Sequence, residues 1–221
     1  VDKLRSENAD DAYGFAPDLV RTILATPGQE LATHTLSHYY CLEPGPSLEA
    51  FAADVKVAVD TARERFGVDT RSIVFPRNQV DEAALEVCQS LGIECYRGVQ
   101  GGWMHAPATD DAQSPLRRSL RLADTYIPLS TRRRPERRRG MINLPATAFL
   151  RPFHPRLMGL EPVRLARLRA ELARAARADG LFHLWWHPHN FGRNLGENLE
   201  LLCRFLDDFC RLRDAGQMRS L

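Results

Sequence analysis

The sequence predicts an α/β protein built from parallel strand and helix units. Short β-branched or aromatic runs alternate with amphipathic helical runs. Most are bounded by a cap or a Gly or Pro stop, and His, Arg and Asn residues follow the ends of several strand runs. Strands separated by helices need crossovers, the connection that parallel sheets use. With 221 residues, 44% of them hydrophobic, the chain can bury one substantial core, so a single domain over 1–221 is expected.

The elements follow in order. Phe15 to Ala25 places Leu19, Val20, Ile23 and Leu24 at helical spacing behind Pro17 and Asp18, and Gly28 then precedes a strand-like QELAT. Ser47 is positioned to cap SLEAFAADVKVAVDTARERFG, with Glu49 in the first turn and Gly67 at the stop. RSIVF reads as a strand that breaks at Pro76. DEAALEVCQSLG reads as helix, IECYRG as strand and SPLRRSLRLADTY as helix, with a Gly- and Pro-rich loop before the last of these. MINLPA is a shorter strand. PVRLARLRAELARAARADG is a helix ending at Gly180, LFHLWW a strand, and ENLELLCRFLDDFCRLRDAG the last helix. No internal repeat is visible.

Composition narrows the function. Thirty basic and 28 acidic side chains leave a formal charge of +2, which predicts neither nucleic-acid binding nor an acidic membrane partner. The five cysteines form no CxxC pair and are odd in number, which argues against a disulfide framework or a cysteine zinc site and fits a reducing compartment. No run approaches the roughly 18 apolar residues of a membrane span, and VDKLRSENADD lacks the order of a signal peptide. A cytoplasmic location is expected, with a peripheral membrane position left open. The first residue is Val1 and not Met, so the sequence is read as a portion of a longer chain.

In parallel α/β folds, functional residues collect at the carboxyl ends of the strands. His34 and His38 follow QELAT, Arg77 and Asn78 follow SIVFP, Arg97 ends ECYR, and His187, His189 and Asn190 follow HLWW. Each group has a plain alternative. The first two histidines can be solvated loop residues, Arg77 can pair with a surface carboxylate, and WWHPHN can be a structural turn with Trp185 and Trp186 filling the core. Convergence on one edge of one sheet favours a single site, because a metal hydrolase needs it. Two imidazoles four residues apart can reach one Zn²⁺ at about 2.0–2.1 Å each.

THTLSH resembles the His-[Ser/Thr]-x-x-His motif of the polysaccharide deacetylases, the NodB-homology group of carbohydrate esterase family 4. The likeness continues in order through FAPDLVRTILAT, PGQELATHTLSHYYC, IVFPRNQ and FHLWWHPHNFG, most of the chain. It implies a distorted (β/α) barrel and removal of acetyl groups from acetylated sugars with a divalent metal, most often Zn²⁺. His34 and His38 would be metal ligands, His187 the acid that protonates the leaving amine, and Arg77 the residue that orients the catalytic base. Asn78, His189, Asn190 and Trp103 are candidates for substrate binding.

The family's first motif, an Asp-Asp pair after the first strand, supplies the base and a third ligand. Asp10 and Asp11 follow no apolar run and are read as loop carboxylates, so base and ligand are expected upstream of Val1 and the barrel is expected to be incomplete at its N-terminus. Asp124 stands in for an acid that supports the late histidine. The run TRRRPERRRG is expected to be solvated, His105 and His154 exposed, and His183 packed. The expected partner is an acetylated sugar, oligosaccharide or glycolipid, with no nucleic acid and no transmembrane segment. Two rival readings are a related hydrolase of non-sugar C–N bonds and an inactive sugar-binding domain of the same fold.

Overall fold

A computed structural model describes residues 16–45, 47–109, 112–131 and 134–220. Asp10 and Asp11 lie outside the described residues. The architecture is mixed α/β, with a parallel-rich sheet and helices packed on it.

Helix α1 covers Pro17–Ala25 and buries none of its residues. Helix α2, Leu48–Phe66, begins where the Ser47 hydroxyl accepts the Ala50 N–H, and ends at Gly67 in the left-handed region at φ 67°. Its apolar stripe, Phe51, Val55, Val59 and Ala62, faces the core. Strand β1, Ser72–Ile73, leads through a short 3₁₀ turn at Pro76–Asn78 into α3, Glu82–Ser90, capped by Asp81. Strand β2 is Cys95–Gly98 and α4 is Pro115–Ala123. Strands β3, β4 and β5 occupy Glu136–Arg138, Met141–Pro145 and Ala148–Phe149. Helix α5, Glu161–Arg177, strand β6, Leu184–Trp185, a 3₁₀ turn at Pro188–Asn194 and helix α6, Leu195–Asp214, complete the chain.

Strands β1, β2 and β4 lie side by side and parallel, with Ile73 opposite Tyr96 and Tyr96 opposite Asn143. Thr33 extends this order by a single parallel bridge to Ile73, so QELAT is an edge segment and not a full strand. The chain from β4 runs on into β5, which pairs in parallel with β6. Among the described residues the strands form two sheets, one of order β1-β2-β4-β3 and one pairing β5 with β6, and the expected barrel is not closed.

Two apolar clusters flank these strands. The first joins Phe51, Val55 and Val59 to Ile73, Phe75, Leu85, Tyr96 and Met141. The second joins Ala148 and Leu150 to Leu165, Leu168 and Leu172 of α5 and to Phe191, Leu201 and Phe205. The segment from Met141 to Leu150 contributes to both and links them.

The described part of the arginine-rich run is exposed, as expected, but part of it is a strand and not a loop. Residues 136–138 form β3, antiparallel to β4, and Arg139 and Gly140, both at positive φ, make the two-residue hairpin turn. Arg138 and Arg139 bridge Glu82, and Arg139 also reaches Glu86, at the start of α3. A strand exposed on both faces has no alternating pattern to reveal it, and Arg-Gly is a weak hairpin signature.

Candidate active site

The THTLSH loop is shaped by local bonds before any ligand is considered. Thr35 and His38 sit at φ 63° and 58°, a region that ordinary side chains avoid. The loop is braced from outside: the N–H groups of Leu36 and Ser37 donate to the two carboxylate oxygens of Asp54 at 2.8 and 3.0 Å. The Tyr39 N–H donates to Thr35 Oγ1 at 2.8 Å, and Tyr39 packs on Phe51. Asp54 projects from α2, so the helix core and the loop are fixed together.

This bracing sets two imidazoles side by side. The His34 and His38 rings are 4.8 Å apart, edge to face. His34 Nδ1 lies 2.6 Å from the Val74 carbonyl, which can only accept, so Nδ1 carries the proton and Nε2 keeps its lone pair. His38 Nδ1 contacts the Tyr40 hydroxyl at 3.1 Å. Engaging one ring nitrogen in this way is how metal-binding histidines are oriented. Burial of the ring, with His38 and Arg97 nearby, holds His34 below its usual pKa against the pull of the Val74 carbonyl, which favours the neutral, ligating form.

Residues after the other strands line a cavity whose lining does not include His34 or His38. Arg77 and Asn78 are also at positive φ, 53° and 56°, in the turn after β1. Arg77 stacks over Tyr40, its guanidinium 4.3 Å from the ring centre. Arg77, Asn78 and His187 line one cavity of about 600 Å³. His187 is half-buried against the Phe149–Trp185 ring pair, 5.3 Å from Trp185 and 5.9 Å from Phe149 between ring centres. Burial lowers its pKa, and His189, Arg97, His34 and His38 lower it further, which puts His187 within electrostatic reach of the histidine pair.

Other candidates lie further out. His189 is exposed beside His187, 5.3 Å between rings, and Asn190 is held in the turn by its N–H to the His187 carbonyl. Trp103 is 57% exposed; its carbonyl accepts from buried Arg117. Asn198 of α6 fixes the turn that carries His187 to Asn190, accepting the Phe153 N–H at 2.6 Å and donating to the Phe191 and Asn194 carbonyls.

Arg97 and Trp185 emerge as central groups that the sequence reading left without a role or assigned to the core. Arg97 ends β2, donates to Asn78 at 2.9 Å and lies over the Trp185 ring at 4.1 Å. Burial draws its pKa down to about 10. Trp185 lines the cavity, whereas Trp186 packs on Phe191 in the core. The strand-end position of Arg97 was the visible signal; its partners come from other strands.

Asp124 does not support His187. It is buried and pairs with His105 at 3.2 Å, while accepting the N–H groups of Leu129 and Ser130 at 2.8 and 2.7 Å. Burial would raise its pKa, yet these bonds and Arg167 prevail and bring it to about 2. His105, expected in solvent, has a side chain only 14% exposed, because the loop folds back onto α4.

His183 is packed as expected, with its ring near the Leu144 carbonyl at 3.2 Å. Burial lowers its pKa from 6.5, with Arg97 adding to the effect against the Leu144 carbonyl. A histidine held neutral in the fold binds protons more readily when unfolded. Stability is therefore full above about pH 6.5 and falls as pH drops through the folded pKa. Thermal melts from pH 8 to pH 5 should show this loss, and His183→Gln should reduce it; an equal slope in both proteins would remove His183 as its source.

Among the described residues no group of three His, Cys, Asp or Glu side chains is placed to hold a metal. The histidine pair could fill at most two places in a metal's coordination sphere. Burial pushes the nearby Cys41 up to about 12, so it remains a thiol.

Residues 4–96 match the family model described as polysaccharide deacetylase. The match covers less than half of the 221 residues. It includes THTLSH and FPRNQ and ends within β2; WWHPHN lies beyond it. No curated protein and no solved structure matches the chain. Among the described residues no helix is long and apolar enough to cross a membrane.

Proposed function

We propose that this polysaccharide-deacetylase-like chain is a metal-dependent hydrolase that removes acetyl groups from N-acetylated sugars. The observation that carries the reading is the braced histidine pair, with the Nε2 lone pair of His34 kept free, within electrostatic reach of His187. His34 and His38 would hold a divalent ion, with zinc the candidate because neutral imidazole suits it. When bound, such an ion supplies Lewis-acid polarisation of the acetyl carbonyl.

The chain's own residues have distinct tasks. An amide nitrogen is a poor leaving group, and His187 donates the proton that lets it depart as an amine when the C–N bond breaks. Trp185 and Phe149 hold the His187 ring by its faces and edges. Arg97 carries positive charge beside that ring and makes protonated His187 a stronger acid. Arg77 orients the base, and Asn78 joins it on the cavity wall. The base and the third ligand come from outside the described residues. The parallel pairings of Thr33 with β1, β1 with β2, β2 with β4 and β5 with β6 support a barrel-like wall.

The test is hydrolysis, followed as substrate consumed, of a panel of N-acetylhexosamine derivatives, small amides and ureides, with zinc present. Preference for the acetylated sugars supports the proposal. Preference for the small amides or ureides would favour a non-sugar C–N hydrolase.

A further inference from the structure

The wall of the cavity away from the histidine pair is cationic. Arg118, Arg121, Arg151 and Arg167 line it together with Arg77, and Asp124 is the carboxylate on its described wall. Asp124 is already committed to His105, to two backbone N–H groups and to the Ser130 hydroxyl, with Arg167 at 3.4 Å. Arg121 bonds the neutral side chain of Gln113 at 2.6 Å. The Nε atoms of Arg151 and Arg167 are buried without a hydrogen-bond partner among the described residues, and the Arg167 side chain is only 9% exposed. Burial lowers the pKa of Arg121, as do Arg117, Arg118 and Arg151 around it. Burial likewise lowers that of Arg151.

Guanidinium groups gathered out of water repel one another unless an anion lies between them. Their planar forks match the oxygens of phosphate and carboxylate. The number of groups favours phosphate, since a dianion answers more of them than a single carboxylate does. A cavity of about 600 Å³ is also of the size that holds a sugar with one such group. His187 lines the same cavity, so a ligand anchored here presents its sugar to the hydrolytic residues.

We infer that the substrate is a phosphorylated N-acetyl sugar, with its phosphate held by Arg121, Arg151 and Arg167. This inference rests on the deacetylase reading for the sugar, and on the arginine wall for the phosphate.

Binding, and not turnover, tests it. Calorimetric titrations of the whole chain, freed of metal by chelator and held at constant ionic strength, compare four probes. These are N-acetylglucosamine, its anomeric phosphate, the corresponding N-acetylated uronic acid and inorganic phosphate. The anomeric phosphate should bind about 10- to 100-fold more tightly than the neutral sugar, the usual worth of hydrogen bonds to a charged group. Arg151→Met and Arg121→Gln should each remove most of that gain and leave the neutral sugar's affinity unchanged, with thermal melts confirming that both fold.

Equal binding of the neutral and phosphorylated sugars by the wild-type chain would overturn the inference, whatever the variants do. So would a gain retained in both folded variants, or a uronic acid that binds as tightly as the phosphate. Acetate release plays no part in this readout. A sugar deacetylase without phosphate preference would refute only this inference, and a phosphate binder that releases no acetate would refute only the catalytic reading.

Discussion

Replacing His187 with Ala lowers acetate release by a factor on the order of 10²–10⁴ while zinc content stays at the wild-type level. The size is that of general acid–base catalysis, because the variant must expel an amine without a positioned proton. Metal content separates the acid role from a ligand role. His187 packs against the Phe149–Trp185 pair and interacts with His34 and His38 electrostatically, with no shared ligand position assigned to it. Zinc measured after dialysis against a weak chelator, beside single-turnover acetate release, reads both quantities. Loss of zinc along with activity would make His187 a ligand.

The second large effect lies at the pair itself. His34→Ala and His38→Ala should each lose most of their zinc in the same dialysis, since one imidazole no longer chelates with the other, and acetate release should fall with it. The bracing predicts a graded companion: Asp54→Ala removes the acceptor for the Leu36 and Ser37 N–H groups and should weaken zinc retention less than either histidine variant. Zinc content unchanged in both histidine variants would contradict the assignment.

The helices were legible because their signals are local. Ser47, Gly67 and Asp81 stand at the cap positions their residue types announce, and the long amphipathic runs became α2, α5 and α6. The strands were harder. QELAT forms one bridge because it lies at the sheet edge, and β3 is exposed on both faces. Strand β5 follows Pro145 so closely that its two residues carry no pattern of their own.

The site divides in the same way. His34 and His38 share one loop, so their spacing was visible in the sequence. The bonds that give the pair its character are long-range: the Val74 carbonyl is 40 residues from His34, and Asp54 reaches back from α2 to Leu36 and Ser37. Arg97 over Trp185 and His105 on Asp124 likewise depend on how separate segments meet. Periodicity in one segment carries no information about such meetings. The path of the loop between β2 and α4 brings His105 onto Asp124, which decided the Asp124 correction.

Acetate release from an N-acetylglucosamine oligomer, followed before chelation, after chelation and after zinc is restored, tests the central claim most directly. The account predicts release that stops when the metal is withdrawn and returns when zinc is added to wild type, but not to His34→Ala or His38→Ala. Release that continues undiminished in the chelated protein, or zinc bound at the pair with no acetate released from any acetylated sugar, would contradict it.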